Sequence, residues 1–279
     1  MRKYVGGIYL GYYIKVESKV KVYVEDINLE GKETVVFLHG WPGSHELFEY
    51  QFNRLPQMGY RCIGIDQRGF GKSDRPFTGY DYDRLSDDVR VVVDALGLKD
   101  FTLVGHSTGG AIAIRYMSRH KGCGVKKLVL CAAAAPSLIK RSNFDYGLNK
   151  EEIDEMINDT YNDRPNMLKN FGNRFFFKHT TEAFSEWFFY LGLQAAGWGT
   201  IAIEKSWINE ELFSDLEQID SETLIMHGIH DKVCLFELAE EQKKRIKKCK
   251  LVAFEESGHG LFYDQCEKFN RELMKFIKE

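Results

Sequence analysis

The sequence predicts an α/β protein with a mostly parallel sheet covered by helices on both faces. Short, continuously apolar runs recur along the chain, as in strands buried on both faces, and segments with helical spacing of apolar residues separate them. The alternation fails once, over residues 136–215, where helical patterns follow one another without a buried strand. We therefore expect one sheet, interrupted in sequence by a helical insertion.

Eight strands are predicted in chain order. The first two, residues 7–16 and 19–26, alternate in polarity and are joined by a turn at residues 17 and 18. The other six are apolar runs, and they cover residues 35–39, 61–66, 101–104, 127–131, 223–227 and 249–254.

Helical spacing fills the intervals between these runs. Predicted helices cover residues 45–58, 83–96, 108–120, 151–161, 181–193, 237–248 and 266–278. The sequence thus predicts a core of residues 1–135 and 216–279, with a helical cap of residues 136–215 inserted after the sixth strand. This cap contains 15 of the 38 aromatic residues, and we expect some of them to line a dry, apolar pocket.

Composition excludes several classes of function. Lys+Arg 38 against Asp+Glu 41 gives a net charge of −3, so no basic excess is present to neutralise nucleic-acid phosphates. No apolar run is long enough to span a membrane, and the first 16 residues lack the cleavage site of a signal peptide. The six cysteines form no C-x-x-C pair and read as reduced thiols. We expect a cytoplasmic protein without cofactor or metal; assembly into a homo-oligomer is left open.

The strongest chemical signal is the G-H-S-T-G sequence at residues 105–109. It directly follows a predicted strand and precedes a predicted helix, which is the context of a nucleophile elbow. In such a turn the serine hydroxyl projects above the sheet at the positive end of the helix, and small neighbours are needed on both sides. Ser107 is therefore the candidate nucleophile.

A serine nucleophile needs a base, and the base needs an acid to orient it. Among eight histidines, His259 follows the last predicted strand and lies between two glycines, where the base of this architecture belongs. Asp231 follows the preceding strand and is the candidate acid. His39 and His227 end strands and are expected to hold loops by hydrogen bonds, whereas His106 is expected to fill space beneath the nucleophile.

Backbone amides are predicted to stabilise the transition state. The H-G-W-P-G loop at residues 39–43 follows a strand where one oxyanion-hole amide belongs, and Trp41 can donate whereas Pro42 has no N–H. The amide of Thr108, directly after the nucleophile, is the second predicted donor.

Two other motifs are set aside. Gly71-Lys72-Ser73 ends like a P-loop, but Asp66 stands where that motif needs its first glycine. The H-x-x-H-D sequence at residues 227–231 lacks the further ligands of a zinc site.

Taken together, these motifs resemble the α/β-hydrolase fold, and specifically the arylesterase and cofactor-free (non-haem) chloroperoxidase subgroup. Besides the elbow, Asp231 and His259, the resemblance is carried by residues 39–41, 66–74 and 78–83 and by Asp87-Asp88. It implies a Ser-His-Asp esterase, in some members with side perhydrolysis of small carboxylic acids. Thr108 departs from the methionine typical of that subgroup, and residues 136–215 match it only loosely. Ser107 argues against haloalkane dehalogenases and epoxide hydrolases, whose nucleophile is aspartate.

The leading hypothesis is a carboxylesterase-type serine hydrolase that cleaves a small or medium apolar ester through an acyl-enzyme. An aminopeptidase or C–C bond hydrolase would use the same triad, although proline aminopeptidases usually carry glycine where Trp41 stands. A non-catalytic ligand receptor built on this fold is the alternative from another class.

Overall fold

The structure, a computed structural model of the chain, describes residues 10–279, and an eight-stranded sheet runs through this part of the protein. The predicted first strand began at residue 7, and its residues 7–9 lie outside the described residues. The turn that follows this strand is at residues 18 and 19, one residue later than predicted. The strands are β1 (Leu10–Glu17), β2 (Val20–Ile27), β3 (Glu33–Leu38), β4 (Tyr60–Ile65), β5 (Phe101–His106), β6 (Val125–Cys131), β7 (Glu222–Gly228) and β8 (Cys249–Phe254).

The strands lie side by side in the order β1-β2-β4-β3-β5-β6-β7-β8. The hairpin β1–β2 is antiparallel and β2 also pairs antiparallel with β4, whereas all pairs from β4 to β8 are parallel. Every residue of β5 is buried, as expected for a strand covered on both faces. The prediction of a mostly parallel sheet is confirmed.

Helices connect most of the successive parallel strands along the chain. They are α1 (Glu49–Phe52), α2 (Tyr82–Leu96), α3 (Thr108–Arg119), α4 (Lys150–Phe175), α5 (Glu182–Leu193), α6 (Gly197–Asn209), α7 (Phe213–Glu217), α8 (Phe236–Arg245), α9 (Leu261–Asp264) and α10 (Cys266–Lys278). None of the helices within residues 10–279 has the length and apolar character needed to cross a bilayer.

The prediction of one continuous helix over residues 45–58 is wrong. That stretch forms two short 3₁₀ helices, His45–Phe48 and Pro56–Met58, on either side of the four-residue α1. Proline has no amide hydrogen to donate to the preceding turn, and Gly59 ends the segment in the left-handed region at φ 90°. Apolar periodicity alone did not reveal these breaks.

Four helices, α4 to α7, connect β6 to β7. The predicted helix 151–161 is the first half of α4, which continues to Phe175 after a kink at Asp163 (φ −152°, ψ 72°). Pro165 cannot extend the first half, and the Asp163 carboxylate accepts a hydrogen bond from the amide of Asn166 (3.1 Å) as the N-cap of the second half. We refer to residues 136–215 as the inserted segment.

The strand order reverses beside β3, because β4 lies on one side of it and β5 on the other. Leu38, the last residue of β3, pairs with Gly105 of β5. Loops that leave the carboxyl ends of two such strands flank one crevice, and ligands of open α/β sheets bind there. This reversal brings the loop after β3 beside the turn that carries Ser107.

Candidate active site

Ser107 lies on the turn between β5 and α3. Its backbone is at φ 54° and ψ −121°, a region that residues other than glycine rarely adopt. Its amide donates to the carbonyl of Cys131 (3.0 Å). A Cβ atom placed on Gly105 would lie 2.5 Å from the Gly109 carbonyl oxygen, and one on Gly109 would lie 2.3 Å from that of Leu38. The glycines of the motif therefore permit the close packing that holds Ser107 in this strained conformation.

His259 and Asp231 are joined by a hydrogen bond. The distance from His259 Nδ1 to Asp231 Oδ2 is 2.8 Å, and both side chains are fully buried. Because a carboxylate only accepts hydrogen bonds, Nδ1 carries the proton and Nε2 presents its lone pair. Within the part of the chain that the structure describes, Nε2 has no hydrogen-bond partner. This histidine is therefore oriented as a base with its accepting nitrogen free.

Asp231 is held as a carboxylate. Its Oδ1 accepts hydrogen bonds from the amides of Val233 (2.8 Å) and Cys234 (2.9 Å), and the His227 ring lies 3.3 Å from its Oδ2. Burial alone would raise the pKa of this carboxyl, but the neighbouring His259 and His227 hold it well below its usual range. The group is thus ionised throughout the neutral range.

The structure places Ser107 beside this pair. The Ser107 side chain interacts with the thiol of Cys234, three residues after Asp231, and its neighbour His106 contacts the His259 loop. No hydrogen bond joins Ser107 to His259 in this structure. Such bonds are often loose in the absence of substrate and tighten in the complex.

His106 does more than fill space beneath the nucleophile. Its Nε2 donates to the carbonyl oxygen of His259 (3.0 Å), and the two rings lie 4.6 Å apart. Burial keeps the pKa of His106 well below its usual value, so this ring is a neutral support for the base. His39 and His227 hold loops as predicted, because His39 accepts from the amide of Gln67 (3.0 Å) and His227 donates to the Cys234 carbonyl (2.7 Å).

The two predicted oxyanion donors belong to the first turn of α3 and to the loop after β3. Thr108 is the first residue of α3, and the amides of a first helical turn have no partner within the helix. Trp41 belongs to the loop after β3; a Cβ atom on the preceding Gly40 would lie 2.8 Å from the Cβ of Ser107. At Gly40 the loop therefore lies against the nucleophile too closely for a side chain to fit between them.

Sequence reasoning missed Trp207 of α6. Its indole Nε1 donates to the hydroxyl of Thr108 (3.1 Å), and its ring packs edge-on against Trp41 at 5.0 Å. The ring of Phe171 in α4 also packs edge-on against the Trp41 ring, at 4.8 Å. Thr108, where this sequence departs from the subgroup it resembles, is thus hydrogen-bonded to the inserted segment. Nothing local in the sequence pairs positions 108 and 207.

A second junction joins the inserted segment to the loop that carries His259. The Asp264 carboxylate accepts from the amides of Phe177 (3.0 Å), Lys178 (3.0 Å) and Gly258 (2.8 Å). The Phe175 ring meets the His259 ring edge-on at 4.8 Å. One carboxylate therefore ties the end of α4 to the loop on which the base lies.

No group of three or more His, Cys, Asp or Glu side chains within residues 10–279 could hold a metal ion. In the P-loop-like segment, the Lys72 amide donates to Asp66 (2.8 Å) and its ammonium lies 3.6 Å from Glu46, so this lysine already faces carboxylates. All six cysteines are free thiols, and Cys62, Cys131 and Cys234 are buried.

Comparison with known proteins identifies the fold family. Residues 33–265 match the family described as alpha/beta hydrolase fold. The chain belongs to the alpha/beta hydrolase family. This confirms the predicted fold and the prediction of an α/β-hydrolase enzyme.

Individual α/β hydrolases match nearly the whole chain. The AB hydrolase superfamily protein YisY of Bacillus subtilis (strain 168) is 47% identical and covers 96% of this chain and 99% of its own. The solved esterase EaEST of Exiguobacterium antarcticum is 46% identical, with a TM-score of 0.94 over 97% of this chain and 100% of its own. Non-heme chloroperoxidase CPO-A1 of Kitasatospora aureofaciens is 30% identical over 88% of this chain and 92% of its own. The resemblance to an esterase and chloroperoxidase subgroup is confirmed.

Proposed function

We propose that this α/β hydrolase is a carboxylesterase-type serine hydrolase that cleaves a small or medium apolar ester. The observation that carries the proposal is the Asp231–His259 hydrogen bond beside a serine on a strained elbow, with the second nitrogen of His259 unpaired. A buried base in a fixed tautomer next to a projecting hydroxyl is the arrangement that serine acyl transfer needs.

In the first step His259 takes the proton of the Ser107 hydroxyl at Nε2 while the serine oxygen attacks the acyl carbon. The imidazolium that forms is stabilised by Asp231, which stays ionised. Collapse of the tetrahedral intermediate breaks the ester bond, and the proton on Nε2 passes to the leaving alcohol. The product of this step is an acyl-enzyme on Ser107.

The negative oxygen of the intermediate is proposed to be bound by the amides of Trp41 and Thr108. Loss of one such donor costs about 3 kcal/mol of transition-state stabilisation. Water then attacks the acyl-enzyme, with His259 again accepting its proton at Nε2 and returning it to Ser107. The acid is released and the enzyme is restored.

We propose that the inserted segment is a cap over a core of residues 1–135 and 216–279. Its aromatic side chains Phe171, Phe175 and Trp207 contact Trp41, His259 and Thr108. Apolar rings on the proposed catalytic residues favour an apolar acyl or alcohol group.

Perhydrolysis is proposed as a side activity, since the chain is similar to a non-heme chloroperoxidase. Hydrogen peroxide would replace water in the second step, so that the acyl-enzyme is converted to a peracid and free serine. This activity needs no residue beyond those of the hydrolysis.

The test is hydrolysis of a p-nitrophenyl ester series from acetate to decanoate by wild type and Ser107→Ala. We expect kcat to fall on the order of 10⁶-fold, as in a well-studied triad, and a fluorophosphonate probe to label only wild type. Ser185→Ala, an exposed serine of α5, is the matched control. Ester hydrolysis by Ser107→Ala at the wild-type rate would refute the assignment.

A further inference from the structure

Glu204 of α6 is the least expected side chain in the inserted segment. It is fully buried, and neither carboxyl oxygen has a hydrogen-bond partner among residues 10–279. The Thr160 hydroxyl lies near the carboxyl, but it donates its hydrogen bond to the Met156 carbonyl (2.9 Å). A buried polar group left unpaired costs about 1–3 kcal/mol, so its presence calls for a partner that binds there.

Glu204 lies on α6 between Ile201, which lines a surface groove, and Trp207, which bonds Thr108. Residues three apart in a helix are neighbours on its surface, one turn after another. Ile201, Glu204 and Trp207 therefore follow one another along α6. Trp207 hydrogen-bonds Thr108 beside Ser107. At the other end Ile201 and Thr160 line a groove of about 450 Å³. The further lining residues of this groove include Phe77, Tyr161, Arg164 and Trp198.

The protonation state of Glu204 limits what it can bind. Burial raises the pKa of its carboxyl to about 8, although the nearby Thr160 acts to lower it. At pH 7 the group is therefore mainly neutral, with one O–H donor and free acceptor capacity. A substrate hydroxyl, which also donates and accepts, matches such a group without bringing a charge into an apolar site.

We propose that the Ile201–Glu204–Trp207 face of α6 lines the path of the acyl group, and that Glu204 determines specificity by hydrogen-bonding a hydroxyl group on the acyl chain. The geometric basis is a buried, unpartnered carboxyl one helical turn from the indole that contacts Thr108. The inference rests on the proposed esterase activity and adds to it a substrate class, the hydroxyacyl esters. It changes the expected acyl pocket from wholly apolar to apolar with one polar anchor.

Two pairs of esters with equal numbers of heavy atoms test the proposal. One pair is p-nitrophenyl 6-hydroxyhexanoate and heptanoate, and the other is p-nitrophenyl 3-hydroxybutanoate and 3-methylbutanoate. The measured quantity is the ratio of kcat/KM for the hydroxy ester to that for its alkyl counterpart, in wild type, Glu204→Gln and Glu204→Leu. Glu155→Gln, an exposed glutamate of α4, is the matched control.

In wild type we expect this ratio to exceed ten for at least one pair. Glutamine also donates and accepts, so Glu204→Gln should keep most of the preference, whereas Glu204→Leu should lose it at least tenfold because the hydroxyl is left unpaired. The Glu155→Gln ratio should equal that of wild type.

Three results would overturn the inference: a wild-type ratio near one for both pairs, an unchanged ratio in Glu204→Leu, or a Glu204→Gln ratio equal to that of Glu204→Leu. The last two would assign Glu204 a structural role with a buried water as its partner. If wild type hydrolysed none of the esters, the proposed function itself would fail, and the inference would fail with it. The two failures are therefore distinguishable in one experiment.

Discussion

Replacing Glu204 by glutamine should make the stability of this enzyme less sensitive to alkali. The carboxyl has an ordinary pKa of 4.5 when the chain is unfolded and about 8 when it is buried in the fold. Between these values the unfolded state loses a proton that the folded state keeps, so the free energy of unfolding falls as pH rises. A difference of 3.5 pKa units corresponds to a ceiling of about 5 kcal/mol. Glutamine does not titrate and escapes this loss.

The measurement is the free energy of unfolding of wild type and Glu204→Gln in urea at several pH values between 4.5 and 9. The two proteins should differ little at pH 4.5, and the variant should gain steadily until the difference levels off above pH 8. In thermal melts each kcal/mol corresponds to about 2–4 °C in a chain of this size. Glu155→Gln should show no such divergence. A Glu204→Gln gain of constant size across this pH range would refute the reasoning, since it would mean that Glu204 is not neutral in the fold.

Two further predictions concern the nucleophile turn. Trp207→Phe and Thr108→Val remove the same hydrogen bond, so their effects on kcat/KM for p-nitrophenyl acetate should overlap. A double-mutant cycle should give a coupling of about 1 kcal/mol between the two positions. Strictly additive effects would contradict this. Ser107→Gly should have a higher Tm than Ser107→Ala, because glycine adopts φ 54° without strain. The free energy of unfolding should be about 1 kcal/mol larger in the glycine variant. Equal Tm values would show that the turn is not strained.

The parallel strands could be predicted because each is buried on both faces and leaves a continuous apolar run. Residues 101–104 indicated β5, for example, and all of β5 is buried. Segments near proline were harder. The stretch before Pro56 has helical periodicity but forms short 3₁₀ turns, and the second half of α4 restarts after Asp163. In both cases local backbone geometry outweighs the apolar pattern.

In the candidate site, the residues that a motif marks could be named from sequence. Ser107 and the loop of Trp41 each follow a strand directly, and strand order determines which loops meet. Trp207 and Glu204 could not be named in this way, because their neighbours lie across tertiary contacts. A signal for Glu204 does exist in the sequence: it stands on the apolar side of α6, three residues from both Ile201 and Trp207. An acidic residue in such a stripe is a reason to look for a ligand.

The three amides on Asp264 also bear on how members of this family can diverge or be recombined. A chimera that exchanged only the inserted segment would need to present amides at positions 177 and 178 to this carboxylate, and a carbonyl at Phe175 for the Gly260 amide (3.0 Å). The natural unit of exchange is therefore the inserted segment together with the base loop and α9. Exchanges that separate them should disturb the base even when both parents are active.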